Sequence, residues 1–244
     1  MRTGAAAVII GNEVLSAKVT EANGSFLTQE LRKRGIVLQA IYTVPDDVDH
    51  IVEALLMARR RARWVFTSGG IGPTHDDLTV RAVALALGRA VVRMPEMVKL
   101  VEAHFLPKAP PLEAFRLAEA PAGSELLAQP GARYPVLACD NVFLLPGVPQ
   151  LFKLQLAAVL ARLEGTPLVL RNLYLGASES EIARTLDAIA LSMPHVMIGS
   201  YPTFDADAGY KVKITIEHAE PAQVEACERA LMAGLAPGIV LRRE

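Results

Sequence analysis

Short apolar runs alternate with longer stretches in which apolar residues recur every three or four positions, and this rhythm organises the first part of the chain. Residues 5–10 form an unbroken apolar run closed by Gly11 and Asn12, the pattern of a strand buried on both faces. Over residues 20–34 the apolar positions Ala22, Phe26, Leu27 and Leu31 share one helical face, and Gly35 supplies the stop. Residues 36–44 read as a second strand, 46–61 as a helix opened by acidic residues, and 63–67 as a third buried strand. A helix from about 77 to 87, a short strand at 90–93 and a helix at 95–105 follow. Prolines between 107 and 111 break the rhythm, and an irregular loop leads to an apolar strand at 141–145, the turn Pro146-Gly147-Val148-Pro149 and a helix to about 163.

Beyond residue 166 the order changes to strand 168–175, helix 178–190, strand 196–201, strand 210–218, helix 221–235 and strand 238–242, a βαββαβ plan of the split ferredoxin-like kind. Ser178 with Glu181 makes a capping box at the head of the first of these helices. The expectation is an α/β fold in two domains: a mainly parallel sheet between helices over residues 1–165, then a smaller α+β domain over 166–244.

Composition narrows the function classes. The 244 residues are 52% hydrophobic and 21% charged, enough apolar material for a core and too little charge for disorder. Lys and Arg number 25 against 26 Asp and Glu, so no global positive field gathers nucleic acid or an anionic membrane. The basic cluster Arg59, Arg60, Arg61 and Arg63 sits where a helix C-terminus favours cations, and the strands of the second domain lack an RNA-binding aromatic signature. Apolar runs are too short for a signal core or a membrane span, so a cytoplasmic location is expected. Cys139 and Cys227 lie far apart, without metal-ligand spacing, and read as buried thiols.

The strongest chemical signal is Thr67-Ser68-Gly69-Gly70-Ile71-Gly72-Pro73-Thr74-His75-Asp76-Asp77-Leu78-Thr79, between an apolar strand and an amphipathic helix. In parallel sheets ligands settle where strands end and helices begin, and glycines let phosphate oxygens approach the main chain. Ser68, Thr74 and Thr79 add hydroxyls. Neither a P-loop nor a GxGxxG spacing is present. Glu13, Asp46, Asp47, Asp76 and Asp77 fall at strand-to-helix junctions on one edge of the sheet, carboxylates of the kind that hold Mg²⁺ or another divalent cation. The same glycines also make a tight turn, with Asp76 or Asp77 capping the next helix, and Asp46, Asp47 and Asp49 equally suit an acidic first helical turn. His75 reads as a solvated loop residue, and Trp64 and Phe66 as core.

This stretch resembles the molybdopterin-binding fold family, in which a strand ends in T-G-G-x-G-x-T followed by D-x-T. Thr67, Gly69, Gly70, Gly72, Thr74, Asp77 and Thr79 match, with Ser68 replacing a glycine, and Leu145-Pro146-Gly147-Val148-Pro149 matches the family's later L-P-G-x-P turn. Within that family the chain is most similar to the N-terminal region of the competence/damage-inducible CinA proteins, through Gly11-Asn12-Glu13-Val14-Leu15, Asn23-Gly24-Ser25-Phe26-Leu27 and Gly176-Ala177-Ser178-Glu179-Ser180. The resemblance implies a three-layer sheet and a small phosphorylated ligand, nucleotide or pterin, held by Thr67, Ser68, Gly69, Gly70, Gly72, Thr74, Thr79, Glu13, Asn23, Pro146 and Gly147. It also implies Asp77 as the cation-holding or phosphate-positioning residue, with Asp46 or Asp47 second, in a homo-oligomer that cleaves a pyrophosphate such as ADP-ribose. A molybdopterin-binding or adenylyl-transfer factor of molybdenum-cofactor assembly, or a non-catalytic relative, uses the same turn. The amidohydrolase domain of full-length CinA proteins has no counterpart in these residues, so deamidation is not expected of them. Two places depart from the family outline: Asn12 stands where Asp is usual, and the loop 129–136, N-P-x-G-T-A-P-G in the family, carries Arg133.

Overall fold

In the computed structural model, which describes residues 4–244, the apolar run Ala5–Ile10 is a strand, β1, buried along its whole length. Alternate residues of a strand face opposite sides of a sheet, so β1 feeds two cores at once. Ala5, Ala7 and Ile9 pack with Leu27, Leu31, Phe152 and Leu156, while Ala6, Val8 and Ile10 pack with Ile51, Leu55, Ala82 and Val83. Those partners belong to helices on the two faces: α2 (Asn23–Arg32) and α6 (Pro149–Leu160) on one, α3 (Val48–Arg61) and α4 (Thr79–Leu87) on the other. The result is the three-layer arrangement expected of fully apolar strands.

The chain divides into two compact units after Gly165; residues 1–3 of the expected first domain lie outside the described residues. In the first unit β2 (Leu38–Val44), β1, β3 (Trp64–Ser68) and β8 (Val142–Leu145) run parallel in that order, and β7 (Val136–Cys139) and β6 (Glu125–Leu127) extend the sheet antiparallel. A helical turn α1 (Asn12–Leu15) follows β1. The short strand β4 (Val91–Arg93) does not join the main sheet and pairs instead with β5 (Glu119–Pro121), ahead of and beyond α5 (Pro95–Phe105). The stretch expected as an irregular loop therefore holds β5, β6, β7 and a 3-10 turn at Leu112–Ala118. Strands of three or four residues are too short for any period to show, which is why the sequence pattern misses them.

The second unit contains β9 (Val169–Leu175), α7 (Glu179–Ser192), β10 (Met197–Pro202), β11 (Val212–His218), α8 (Pro221–Gly234) and β12 (Val240–Arg243). Its antiparallel sheet has the order β10-β11-β9-β12, the split βαββαβ arrangement. Ile182, Ile189, Val224 and Leu231 of the two helices close over Leu173, Leu175, Ile214 and Ile216. Cys139 and Cys227 are buried free thiols, as read from their spacing. Among the described residues no helix is long and apolar enough to cross a membrane.

The capping box at α7 is present: Glu181 Oε2 accepts from the Ser178 N–H at 2.8 Å and from its hydroxyl at 2.6 Å. Ser178→Ala is expected to destabilise this unit by about 1 kcal/mol, seen as a lower midpoint in its denaturant transition. The Ser178 hydroxyl, and then its backbone N–H, hold the Glu181 carboxyl below its ordinary value of 4.5. Because the folded pKa is depressed, this stabilisation is complete above the unfolded pKa and is lost as pH falls through the lower folded value. Melting temperature measured from about pH 5 to about pH 3 should drop less steeply in Glu181→Gln than in the parent.

Candidate functional site

The strand order turns back on itself at β1, with β2 on one side and β3 on the other, and the loops leaving the carboxyl ends of β1, β3 and β8 meet around a cleft of about 630 Å³. The glycine turn forms its floor. Gly69 lies at φ +105°, where an added Cβ would sit 2.2 Å from the Ile10 carbonyl oxygen, and Gly70 lies at φ +64° against the Thr79 hydroxyl. Both positions admit only glycine without a shift in the backbone. The Gly69 N–H donates to Leu145 O at 3.1 Å, so the turn is tied to the Pro146-Gly147 loop beyond β8.

The buried hydroxyls hold this turn from behind. Thr79 Oγ1 donates to Gly69 O at 2.7 Å while its N–H donates to Gly70 O at 2.9 Å; Ser68 Oγ donates to Pro146 O at 3.4 Å, and Thr67 Oγ1 to Phe143 O at 3.5 Å. Asn23, 5% exposed, bridges the same two loops, its Nδ2 donating to Ser68 Oγ at 2.9 Å and to Gly147 O at 2.8 Å. Thr67, Ser68, Thr79 and Asn23 thus face the interior and shape the turn, where the sequence suggests contact with ligand. Gly69, Gly70, Gly72, Thr74, Pro146, Gly147 and Glu13 line the cleft itself. Among the described residues the N–H groups of Gly70 and Ile71 have no partner, leaving two donors at a glycine turn beside the N-terminus of α4.

Asp77 staples the turn. Its Oδ1 accepts from the Gly72 N–H at 2.6 Å and its Oδ2 from the Thr74 N–H at 2.7 Å, with the Thr74 hydroxyl also donating to Oδ2. Thr74 Oγ1 reaches Asp76 Oδ1 at 2.6 Å too, and that hydroxyl holds the Asp76 carboxyl below the ordinary carboxylate range. Asp46 lines the cleft and accepts from the Asn12 N–H at 2.8 Å through Oδ2, leaving Oδ1. Asp47 does not line it: this residue caps α3, accepting from the His50 N–H at 3.1 Å, and the His50 N–H and ring hold its carboxyl below the usual range. Glu13 makes no side-chain hydrogen bond among the described residues and lies over Gly11. His75 is 94% exposed.

Among the described residues Glu13, Asp46, Asp76, Asp77 and Glu119 line the cleft against one cationic side chain, Arg116, whose Nη1 donates to Thr74 O at 3.0 Å. An anionic ligand entering such a field needs a counter-cation. Among the described residues no group of three or more His, Cys, Asp or Glu is poised to hold a metal. A hard cation such as Mg²⁺ uses one or two carboxylates and completes its shell with waters and substrate phosphates, so the donor set fits a cation brought with the ligand.

Apolar side chains, among them Met97, Leu117, Leu137, Val148 and Leu151, also line the cleft, together with Tyr134 and Gln155. Arg116, Tyr134 and Gln155 are site residues that the sequence reading passes over. Tyr134 comes from the loop 129–136 that departs from the family outline, whereas the neighbouring Arg133 turns away, its Nη1 3.1 Å from His104 Nε2, and does not line the cleft.

Residues 6–165 match the family model described as "Probable molybdopterin binding domain", and residues 167–244 match the one described as "FAD synthase, middle domain". The chain is similar to an Archaeoglobus fulgidus protein, 32% identical over 196 residues that cover 80% of this chain and 84% of that one. It is also similar to a Caenorhabditis elegans protein named "Probable FAD synthase", 30% identical over 267 residues, covering 98% of this chain but only 51% of the relative. Among solved structures, the Thermoplasma acidophilum protein CinA, of unknown function, superposes with a TM-score of 0.61 at 26% identity, over 65% of this chain and 96% of that one.

Proposed function

Because the chain belongs to the molybdopterin-binding domain family, we propose that its cleft binds a dinucleotide-type pyrophosphate and hydrolyses the phosphoanhydride. The observation that carries this reading is the meeting, in one cleft, of two free N–H donors at Gly70 and Ile71 with the carboxylates of Glu13, Asp46 and Asp76. The donors suit phosphate oxygens, and the carboxylates suit the divalent cation that such a ligand carries.

In the reaction, water adds across P–O–P and the bridging bond breaks, giving two phosphate monoesters. Asp46 and Asp76 would hold the cation, Mg²⁺ or another divalent ion, in place of Asp77, whose two oxygens take the Gly72 and Thr74 N–H groups; bound there, it would offset phosphate charge and polarise a phosphoryl oxygen. The Gly70 and Ile71 N–H groups position the diphosphate, and Asp77 keeps those donors in place through Gly72 and Thr74. ADP-ribose is one substrate of this class. FAD is a second, favoured by the name of the Caenorhabditis relative, although this chain spans about half that protein's length. The family description favours a second reading, a molybdopterin-binding or adenylyl-transfer role at the same turn.

The deciding measurement is monoester release from ADP-ribose and FAD by the purified protein with Mg²⁺, Mn²⁺ or Co²⁺. Release of AMP with ribose 5-phosphate or FMN is the expected result. No release with any of the metals, from protein shown to be folded, sinks the hydrolase and leaves the pterin-binding reading.

A further inference from the structure

Two residues of the cleft lining carry polar atoms that the fold itself leaves without a partner. On α6 the residues Phe152, Gln155, Leu156, Val159 and Leu160 are buried, so a glutamine occupies a core-facing helical position where an aliphatic side chain would normally sit. Gln155 is 8% exposed and lines the cleft. Its Nε2 donates to Tyr134 O at 2.9 Å. A carbonyl oxygen accepts only from a donor, so this contact fixes the amide orientation and makes Oε1 the free end.

That Oε1 is buried without a hydrogen-bond partner, and so is the phenolic oxygen of Tyr134. Burial also pushes the Tyr134 hydroxyl above its ordinary pKa, so it stays protonated and able to donate. Buried polar atoms are nearly always paired, and leaving one unpaired is destabilising. Both atoms belong to residues that line one cleft together with Met97, Leu117, Leu137 and Leu151, a combination that suits something flat, apolar on its faces and polar at its edge.

Resting on the phosphate reading of the glycine turn, we propose that Gln155 and Tyr134 form a ring-reading subsite. The planar heteroaromatic ring of the ligand lies against the apolar lining, donates an edge N–H, on the ring or on an exocyclic amine, to Gln155 Oε1 and shares a hydrogen bond with the Tyr134 hydroxyl, while its phosphates sit at Gly70 and Ile71. Gln155 is then a specificity-determining residue: it accepts but cannot donate through its free end, so rings with an edge N–H are favoured over rings without one.

The test compares calorimetric binding to the full chain, with Ca²⁺ in place of Mg²⁺ and each ligand shown intact after the titration, of inorganic pyrophosphate, ADP-ribose and FAD, in the wild type, Gln155→Leu and Tyr134→Phe. Two further ligands, ADP-ribose dimethylated on the adenine amine and FAD methylated at flavin N3, separate adenine from flavin as the ring that is read. Gln155→Leu is expected to weaken the ring-bearing ligands about tenfold and to leave pyrophosphate unchanged. The methylated form of whichever ring is read should bind the wild type as weakly as its parent binds Gln155→Leu, with no further loss in that variant. Tyr134→Phe, which keeps the ring and removes only the hydroxyl, should show a smaller loss of the same selectivity. Equal binding of ring-bearing ligands to wild type and Gln155→Leu overturns the subsite, as does an equal loss for pyrophosphate and ring-bearing ligands. Failure of pyrophosphate to bind the wild type, with ring-dependent binding still lost in Gln155→Leu, overturns the phosphate reading alone. Binding of no probe overturns both.

Discussion

Asp77→Ala is expected to lower the proposed phosphoanhydride hydrolysis about 100-fold or more while the sheet stays folded, because a reactant displaced by about 1 Å loses about that much rate. The two carboxylate oxygens of Asp77 take the Gly72 and Thr74 N–H groups, one each, and so set the path of the chain on the far side of Gly70 and Ile71. Without them the two free donors have no fixed aim. Asp77→Asn should fall nearly as far, since an amide has one accepting end and turns its NH₂ toward a backbone N–H at the other. Asp47→Ala provides the contrast, for that carboxylate caps α3 away from the cleft and its loss should leave turnover close to that of the parent. Circular dichroism and steady-state assay on the three proteins check the prediction, and an Asp77→Ala protein with parental activity would remove the turn from the mechanism.

The largest loss of stability is expected from Gly69→Ala. At φ +105° an alanine leaves the regions open to L-residues, and its Cβ would stand 2.2 Å from the Ile10 carbonyl oxygen. That oxygen belongs to the end of β1, the most buried strand of the first unit, so it has little room to retreat. Backbone strain of about 1–3 kcal/mol adds to the overlap, giving a loss of about 3 kcal/mol or more. Chemical denaturation of the two proteins measures this directly, and a change under about 1 kcal/mol would show that the turn relaxes at little cost.

Most of the architecture was legible because its elements are long and their periods distinct. The run at residues 5–10 has no polar position and so had to be buried on both faces; the periodic segments at 95–105 and 46–61 became α5 and α3 with shifts of a residue or two at most. The strands β5, β6 and β7 were not legible, since each is three or four residues long and owes its existence to pairing with a distant partner. For the site, glycine spacing located the turn but not the direction of its side chains. Thr67, Ser68 and Thr79 look like ligand donors in sequence, yet their hydroxyls point to main-chain carbonyls that need them. Asp47 beside Asp46 shows the limit of adjacency: neighbours at a helix start face different ways, one to the cleft and one to the cap. One signal was available and unused. Gln155 falls in step with Phe152, Leu156 and Val159, and a polar residue in phase with a helix's apolar stripe asks for a partner.

The many anchors on the glycine turn bear on how a ligand is received. With Asp77, Thr79 and Leu145 already fixing the loop, the ordering entropy of about 1–2 kcal/mol per residue falls on folding of the chain. A ligand bound at this turn would meet a loop whose hydrogen bonds are already made, so little of its binding free energy would go into ordering that loop.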